Sequence, residues 1–348
     1  MTNHFIPSDA ALQYPFADKI PAGGELFAMH EDVFWLRMPL PFALDHINLW
    51  LIRDGANWCA IDCGIDNDAS RQAWQQIFTQ LAPNKLSRVL ATHCHPDHIG
   101  LSHWLCEQFH VPLYMSAGEY AFARLMSAGL TGLDNQSQIE HFQRHGLSAV
   151  LAQQMQARKN HYPSLVPTLP VCFNRLQDGE LFSIGGHIWR IITGFGHAPE
   201  HVSLYAKDLG ILISGDMILP RISTNMGVNA IEPNGDPLKL YLDSLSKFAD
   251  LPEDTLVLPS HGKPFRGLHT RITQLREHHA LRLAEVHAAC ITPQSAADIV
   301  PLMFRRQLDV HQLNFAMGES LAHLRNLQSR GMLAEQCGTD HVFRFTAV

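Results

Sequence analysis

The sequence predicts an α/β protein whose buried strands carry polar side chains to a common rim. Two observations point there. Five times a short apolar segment ends in a His or an Asp flanked by small residues: Trp58-Cys59-Ala60-Ile61 before Asp62, Arg88-Val89-Leu90-Ala91 before Thr92-His93, Ile188-Trp189-Arg190-Ile191-Ile192 before the turn to His197, Ile211-Leu212-Ile213-Ser214-Gly215 before Asp216, and Thr255-Leu256-Val257-Leu258-Pro259-Ser260 before His261. Buried parallel or mixed strands end in this way. A composition of 46% hydrophobic and 17% charged residues over 348 positions is that of a compact chain, not a disordered one. The length exceeds what one α/β domain needs, so an insertion or a second domain is expected.

In chain order, Met1-Thr2-Asn3-His4-Phe5-Ile6-Pro7 has no basic n-region and no apolar h-region, so no secretion signal is evident. Seven cysteines without a Cys-x-x-Cys pair fit a reducing compartment, and the cytoplasm is the expected location. No apolar run reaches the ~20 residues of a membrane span. His46, in Asp45-His46-Ile47-Asn48, opens a strand near the expected mouth of the site, where substrate contact is one role open to it. Thr92-His93-Cys94-His95-Pro96-Asp97-His98 then places three imidazoles and a carboxylate within six residues, between a strand and the helical pattern of Gly100 to Phe109. Borderline nitrogen donors beside an oxygen donor at that density indicate a metal site. Alternation in an extended turn points Cys94 away from the side shared by His93 and His95, which makes it a buried thiol before a thiolate ligand.

Between about residues 118 and 170 the pattern changes. Glu119 to Met126 and Gln136 to Lys159 predict helices broken at Leu130–Asn135, with Leu147, Val150, Leu151 and Met155 on a buried face. Tyr162 to Pro170 predicts an extended Pro-rich connection. This insertion either roofs the active site or covers sheet surface. Beyond His261, Arg271 to Cys290 predicts a helix with Leu275, Leu281, Leu283 and Val286 inward, and Thr292-Pro293-Gln294-Ser295 starts another. His311 to Arg330 predicts a third, with Leu313, Met317, Leu321, Leu324 and Leu327 on one face and Gly331 as its stop. Met332–Glu335 and His341–Phe345 read as a hairpin around Gly338-Thr339-Asp340. The expected domains are residues 1–268, with the insertion at about 118–170, and a helical unit over residues 269–348.

Asp62, then His93, His95, Asp97 and His98, then His197, Asp216 and His261 follow an order that resembles the metallo-β-lactamase superfamily, over roughly residues 24–268. The resemblance implies a four-layer αββα sandwich of two mixed sheets with helices outside, and two divalent metal ions at one edge. Zinc is the expected metal, with iron or manganese compatible with the same donors. It implies one metal on His93, His95 and His197, a second on Asp97, His98 and His261, and Asp216 bridging them. Asp62 would stand outside the coordination sphere and hold the ligand loop, and His201 is a structural histidine or a similar support. Helices followed by a hairpin resemble the winged-helix tail of some members. The last helix offers only Arg325 and Arg330 as firm cations, so the tail reads as structural or dimer-forming, not DNA-binding.

The implied reaction is attack of a hydroxide shared by two metals on a thioester, lactone or ester carbonyl of a small molecule, with Asp97 also shuttling a proton. A carboxylate at Asp216 resembles the glyoxalase II, lactonase and ribonuclease branches, whereas true β-lactamases usually carry Cys or Ser there. Three alternatives remain: a winged-helix-tailed ribonuclease, a mononuclear-iron persulfide dioxygenase held by His93, His95 and His197, and a β-lactamase. The net charge of −7 weighs against nucleic acid as the main partner. Lys263, Arg266 and Arg271 either hold substrate carboxylates or form a solvated basic face, so the substrate-binding residues stay open.

Overall fold

A computed structural model describes residues 12–16, 18–42, 44–130, 135–157 and 162–348. The N-terminal segment, residues 131–134 of the expected helix break and Arg158–Lys159 at the end of the expected helix lie outside them. The first sheet runs β1 (Phe27–His30), β2 (Val33–Pro39), β3 (His46–Asp54), β4 (Asn57–Ile61), β5 (Leu86–Leu90), β6 (Leu113–Met115), β7 (Asn174–Arg175), in that order. Its strands are antiparallel from β1 to β4 and parallel from β4 to β7. The second sheet is built from β8 (Leu181–Ile184), β9 (His187–Gly194), β10 (His201–Ala206), β11 (Ile211–Gly215) and β12 (Leu256–Pro259), ordered β12-β11-β10-β9-β8. Only its β11–β12 pair is parallel.

Three apolar clusters show why the layers stack. Trp35, Trp50, Ile61 and Leu90 of the first sheet meet Trp189, Ile191, Leu204 and Leu258 of the second between the sheets. The alternate residues of β3, Ile47, Leu49 and Leu51, turn outward onto α1 (Asp68–Leu81) through Trp74 and Ile77. Alternation along one strand therefore feeds two cores. On the far side Ile192, Tyr205, Leu212 and Val257 pack in one cluster with the residues that follow the second sheet. The expected αββα sandwich is the observed architecture.

The helix expected over residues 100–109 is α3 (Ser102–Phe109), preceded by a single turn, α2 (Pro96–Ile99), within the His cluster, and the insertion opens with α4 (Ala117–Ser127). The helix expected from Gln136 to Lys159 is two short ones, α5 (Asn135–Gln143) and α6 (Ala149–Gln156). Gly146 between them takes φ +96, and Ser148 starts a new helix by accepting from Leu151 N. On so short a helix only Ala152 and Met155 face inward, which leaves Val150 67% and Leu151 36% exposed, against expectation. Within Tyr162–Pro170 the first four residues form a turn of helix, α7 (Tyr162–Leu165), in place of extended chain.

After α8 (Pro237–Ser244) come α9 (Leu268–Ala289), α10 (Ala296–Met303), capped by Ser295, and α11 (Val310–Ser329), ended by Gly331 at φ +71. The hairpin β13 (Leu333–Cys337) and β14 (Phe343–Ala347) closes this helical C-terminal domain. All five apolar residues expected on α11 are buried, but Leu281 of α9 is 51% exposed. Among the described residues, no helix is long and apolar enough to cross a membrane.

Candidate metal centre

The five strand ends converge where the two sheets meet. Asn48 pins them together there: its backbone N–H donates to Ser260 O at 2.7 Å, and its side chain donates to Pro259 O at 2.8 Å and accepts from Trp35 Nε1 at 2.9 Å. The loops after β4 and β5 thus face those after β9, β11 and β12. Gly215 sits at φ +54, and a Cβ there would lie 2.3 Å from His201 Nε2, so a residue with no side chain must precede Asp216.

Seven of the eight expected site residues fall into two neighbouring groups of donor atoms. His93, His95, His197 and Asp216 form one; Asp97, His98 and His261 form the other; within each, the donors lie within 4.8 Å of one another. His93 Nε2 is 2.9 Å from His95 Nδ1 and 3.2 Å from His197 Nε2. Asp216 stands between the groups, with Oδ2 3.4 Å from His197 Nε2 and 3.7 Å from His98 Nε2, and Oδ1 3.6 Å from His261 Nε2. Asp97 Oδ2 is 3.4 Å from His261 Nε2 and 3.6 Å from His98 Nε2.

Outer contacts select the tautomers. His197 Nδ1 pairs with Asn225 O at 2.8 Å, His261 Nδ1 with His46 O at 2.9 Å, and His98 Nδ1 with Asp62 Oδ2 at 2.8 Å. An Nδ1–H spent on oxygen leaves the Nε2 lone pair facing the pocket, the arrangement of metal-binding histidines. His98 Nε2 and Asp216 Oδ1 are buried without a hydrogen-bond partner. Buried polar atoms of this kind need an explanation, and nitrogen and oxygen donors converging on a common point supply one. The residues fit a pair of divalent ions.

Charge in the pocket is uneven. Burial, then the surrounding imidazoles, hold His93 well below the usual histidine range and bring His95 to about 3, so both are neutral donors. Burial also opposes charge on His261, yet Asp216 and Asp97 push it up to about 10. Asp62, Asp97 and Asp216 likewise raise His98 against its burial. Against burial, His98 and His261 hold Asp97 at about 2. The carboxylates thus make the second group a strong attractor of positive charge, and metal there must displace protons.

Asp62 lies outside both donor groups and is 1% exposed. It accepts from Thr92 N at 2.7 Å, Thr92 Oγ1 at 2.8 Å and His98 Nδ1. Cys94 also stands outside them, and burial pushes its thiol up. His201 accepts from Asp216 N at 3.1 Å and so supports a donor residue directly. His46 opens β3 as expected, but its Nε2 accepts from Gly262 N at 3.1 Å, which gives it a role in holding the His261 loop. Arg271 departs from both roles considered for it. It is 1% exposed and donates to Leu219 O at 2.6 Å and Ile222 O at 3.0 Å. The sequence reading missed Glu119 and Tyr162, which meet the Cys94 peptide from the insertion.

Residues 43–261 match the sequence model of the Metallo-beta-lactamase superfamily. The chain belongs to this superfamily. Residues 283–348 match a second model, the Metallo-beta-lactamase-like C-terminal domain, so the superfamily match extends into the helical tail. A beta-lactamase domain protein from Burkholderia ambifaria is 50% identical, with a TM-score of 0.92 over 98% of this chain and 99% of its own. A metallo-beta-lactamase family protein from Thermus thermophilus is 26% identical, with a TM-score of 0.77 over 92% of this chain and 100% of its own. The Bacillus subtilis (strain 168) protein named Probable metallo-hydrolase YqjP is 24% identical over 327 residues, 86% of this chain and 93% of that one. Superfamily membership and a His/Asp cluster make this chain a metal-dependent hydrolase in class.

Proposed function

We propose that this superfamily member hydrolyses an ester, thioester or lactone carbonyl of a small molecule with two divalent metal ions, zinc first, and iron or manganese on the same donors. The observation that carries the reading is Asp216, whose carboxylate reaches both donor groups: Oδ2 lies 3.4 Å from His197 Nε2 and 3.7 Å from His98 Nε2, and Oδ1 3.6 Å from His261 Nε2. His93, His95 and His197 would hold one ion and Asp97, His98 and His261 the other, with Asp216 shared. When bound, such ions supply a nucleophilic water near neutral pH and polarise the carbonyl under attack.

The remaining work falls to the chain. Asp97, kept ionised beside His98 and His261, can take a proton and pass it to the departing atom. A thiolate leaves with little such help, while an alkoxide needs it. Asp62 fixes Thr92 and His98 without touching the reacting atoms. A small-molecule substrate is supported by the inward placement of basic residues: Arg271 is buried, and Arg325 pairs with Glu335 at 2.9 Å. A cytoplasmic location is supported by seven free cysteines, five of them buried.

The test is elemental analysis followed by turnover of acyl thioesters, lactones and alkyl esters, with single-stranded RNA in parallel on the same metal-loaded sample. Two ions per chain and carbonyl turnover are expected. One tightly bound iron with no gain on adding zinc would point to dioxygenase chemistry, and RNA cleavage alone to a nuclease.

A further inference from the structure

We infer that Glu119 is a positioning residue that sets the spacing between the His93–His95 loop and the His197 loop, and so tunes the first donor group in preference to the second. The inference rests on reading these residues as metal ligands. Glu119 lies in the first turn of α4 and is 0% exposed. Its two oxygens serve two loops from different sheets. Cys94 N–H, between His93 and His95, donates to Oε2 at 2.8 Å, and Glu200 N–H, between His197 and His201, donates to Oε1 at 2.6 Å.

The same short segment grips the His197 loop again at Glu200. Ser116 Oγ donates to Glu200 O at 2.7 Å, and Gly118 N–H donates to a Glu200 carboxylate oxygen at 2.8 Å. From α7, the Tyr162 hydroxyl donates to Cys94 O at 2.5 Å, so the Cys94 residue is held at both its N–H and its C=O. Space-filling alone would favour an apolar side chain, because a buried carboxylate costs desolvation unless its oxygens are used. Here both are used, and on the backbone of two loops. Asp62 holds His98 of the second group directly, and Thr92 beside His93 as well. The insertion's ends thus act as a clamp on the first group, whatever else its helices cover.

The experiment is a zinc titration of the full chain against a chromophoric chelator. His261→Ala identifies which binding step belongs to Asp97, His98 and His261. Glu119→Gln keeps the volume but turns an NH2 toward a backbone N–H. It should weaken the other step by about 10–100-fold and leave the His261-dependent step within about twofold. Tyr162→Phe should weaken the same step by less. Cobalt-loaded Glu119→Gln should show altered visible bands with unchanged far-UV circular dichroism. Wild-type affinity at both steps, or equal loss at both, would overturn the clamp. If Glu119→Gln does not fold, Tyr162→Phe decides on the same readout: loss confined to the His261-independent step supports the clamp, and any other pattern overturns it. Failure of the wild-type chain to bind zinc at all would instead sink the ligand assignment.

Discussion

Asp62→Ala separates supporting residues from ligands. Asp62 is buried and accepts three hydrogen bonds, from Thr92 N, Thr92 Oγ1 and His98 Nδ1. Removing the carboxylate leaves three buried donors without an acceptor, each costing roughly 1–3 kcal/mol. A water entering the vacated space offsets part of this, which leaves about 3–5 kcal/mol, the range for breaking a buried charge pair. Asp62 also sits at φ 63, which adds about 1 kcal/mol of strain for Ala. The total, about 4–6 kcal/mol, is below all but the lowest part of a domain stability of about 5–15 kcal/mol, so the metal-loaded variant should still fold. His98 loses the anchor for its ring while His197 keeps its bond to Asn225 O, so the second metal should weaken by about 10–100-fold and the first remain. Urea denaturation of the metal-loaded protein measures the stability loss, and elemental analysis after dialysis measures the metal. Asp62→Asn, which tolerates positive φ and keeps one acceptor, should lose about half as much. A folded Asp62→Ala protein lacking both metals would make Asp62 a ligand. A loss below about 1 kcal/mol would show that its hydrogen bonds are readily replaced.

Asp216→Ala should cost far more activity than replacing a histidine outside the donor groups, such as His187, because one carboxylate serves both groups; full activity would refute the two-metal reading. Asp97→Asn should lower kcat/KM by about 10²–10⁴-fold on alkyl esters and lactones and by less on thioesters of the same acyl chain, and equal losses would remove Asp97 from proton transfer. Burial first, then His141, brings His145 to about 3. The unfolded chain therefore binds the extra proton between about pH 6.5 and 3, and stability present above that window is lost as pH falls through it, by up to about 1.4 kcal/mol per pH unit. His145→Gln should flatten the pH dependence of the urea midpoint there, and an unchanged slope would refute the assignment. Deleting residues beyond Gly267 should cause aggregation on size-exclusion chromatography, because Tyr205, Leu212 and Val257 of the sandwich share a core with Leu275, Leu321 and Phe345 of the tail; a soluble truncation of normal size would show that the tail is an appendage.

What is legible in the sequence is what the chain writes locally. His93 to His98 crowd one turn, and each of the other expected donors follows an apolar segment that could only be a buried strand. Glu119 is invisible there for a physical reason. Ser116 caps α4, so Ser-x-x-Glu reads as an ordinary reciprocal capping box. The Glu119 carboxylate instead meets backbone groups 25 and 81 residues away, in loops no local pattern connects. Val150, Leu151 and Leu281 depart from expectation because apolar spacing alone makes helices longer or more deeply buried than they are. Gly146 breaks the first of these, and α9 presents part of its length to solvent. Charge alone marks Arg271 as a substrate or surface cation, yet its guanidinium serves the carbonyls of the loop after Asp216.

That loop shows why the tail matters to the site. Thr224 Oγ1 donates to Asp216 O, Asn225 O anchors His197, and Val228 N donates to Gly318 O of α11 at 3.1 Å. Gly318 and Gly227 meet almost backbone to backbone: a Cβ on Gly318 would lie 3.2 Å from Gly227 Cα. From the other side α9 holds the same loop through Arg271. The segment that follows Asp216 and orients His197 is therefore braced by two helices of the C-terminal domain, while Glu119 and Tyr162 of the insertion brace the loops opposite. The sandwich supplies the donors. The two added regions fix the loops on which those donors sit, so their influence on the reaction would pass through ligand geometry even where they never touch a substrate.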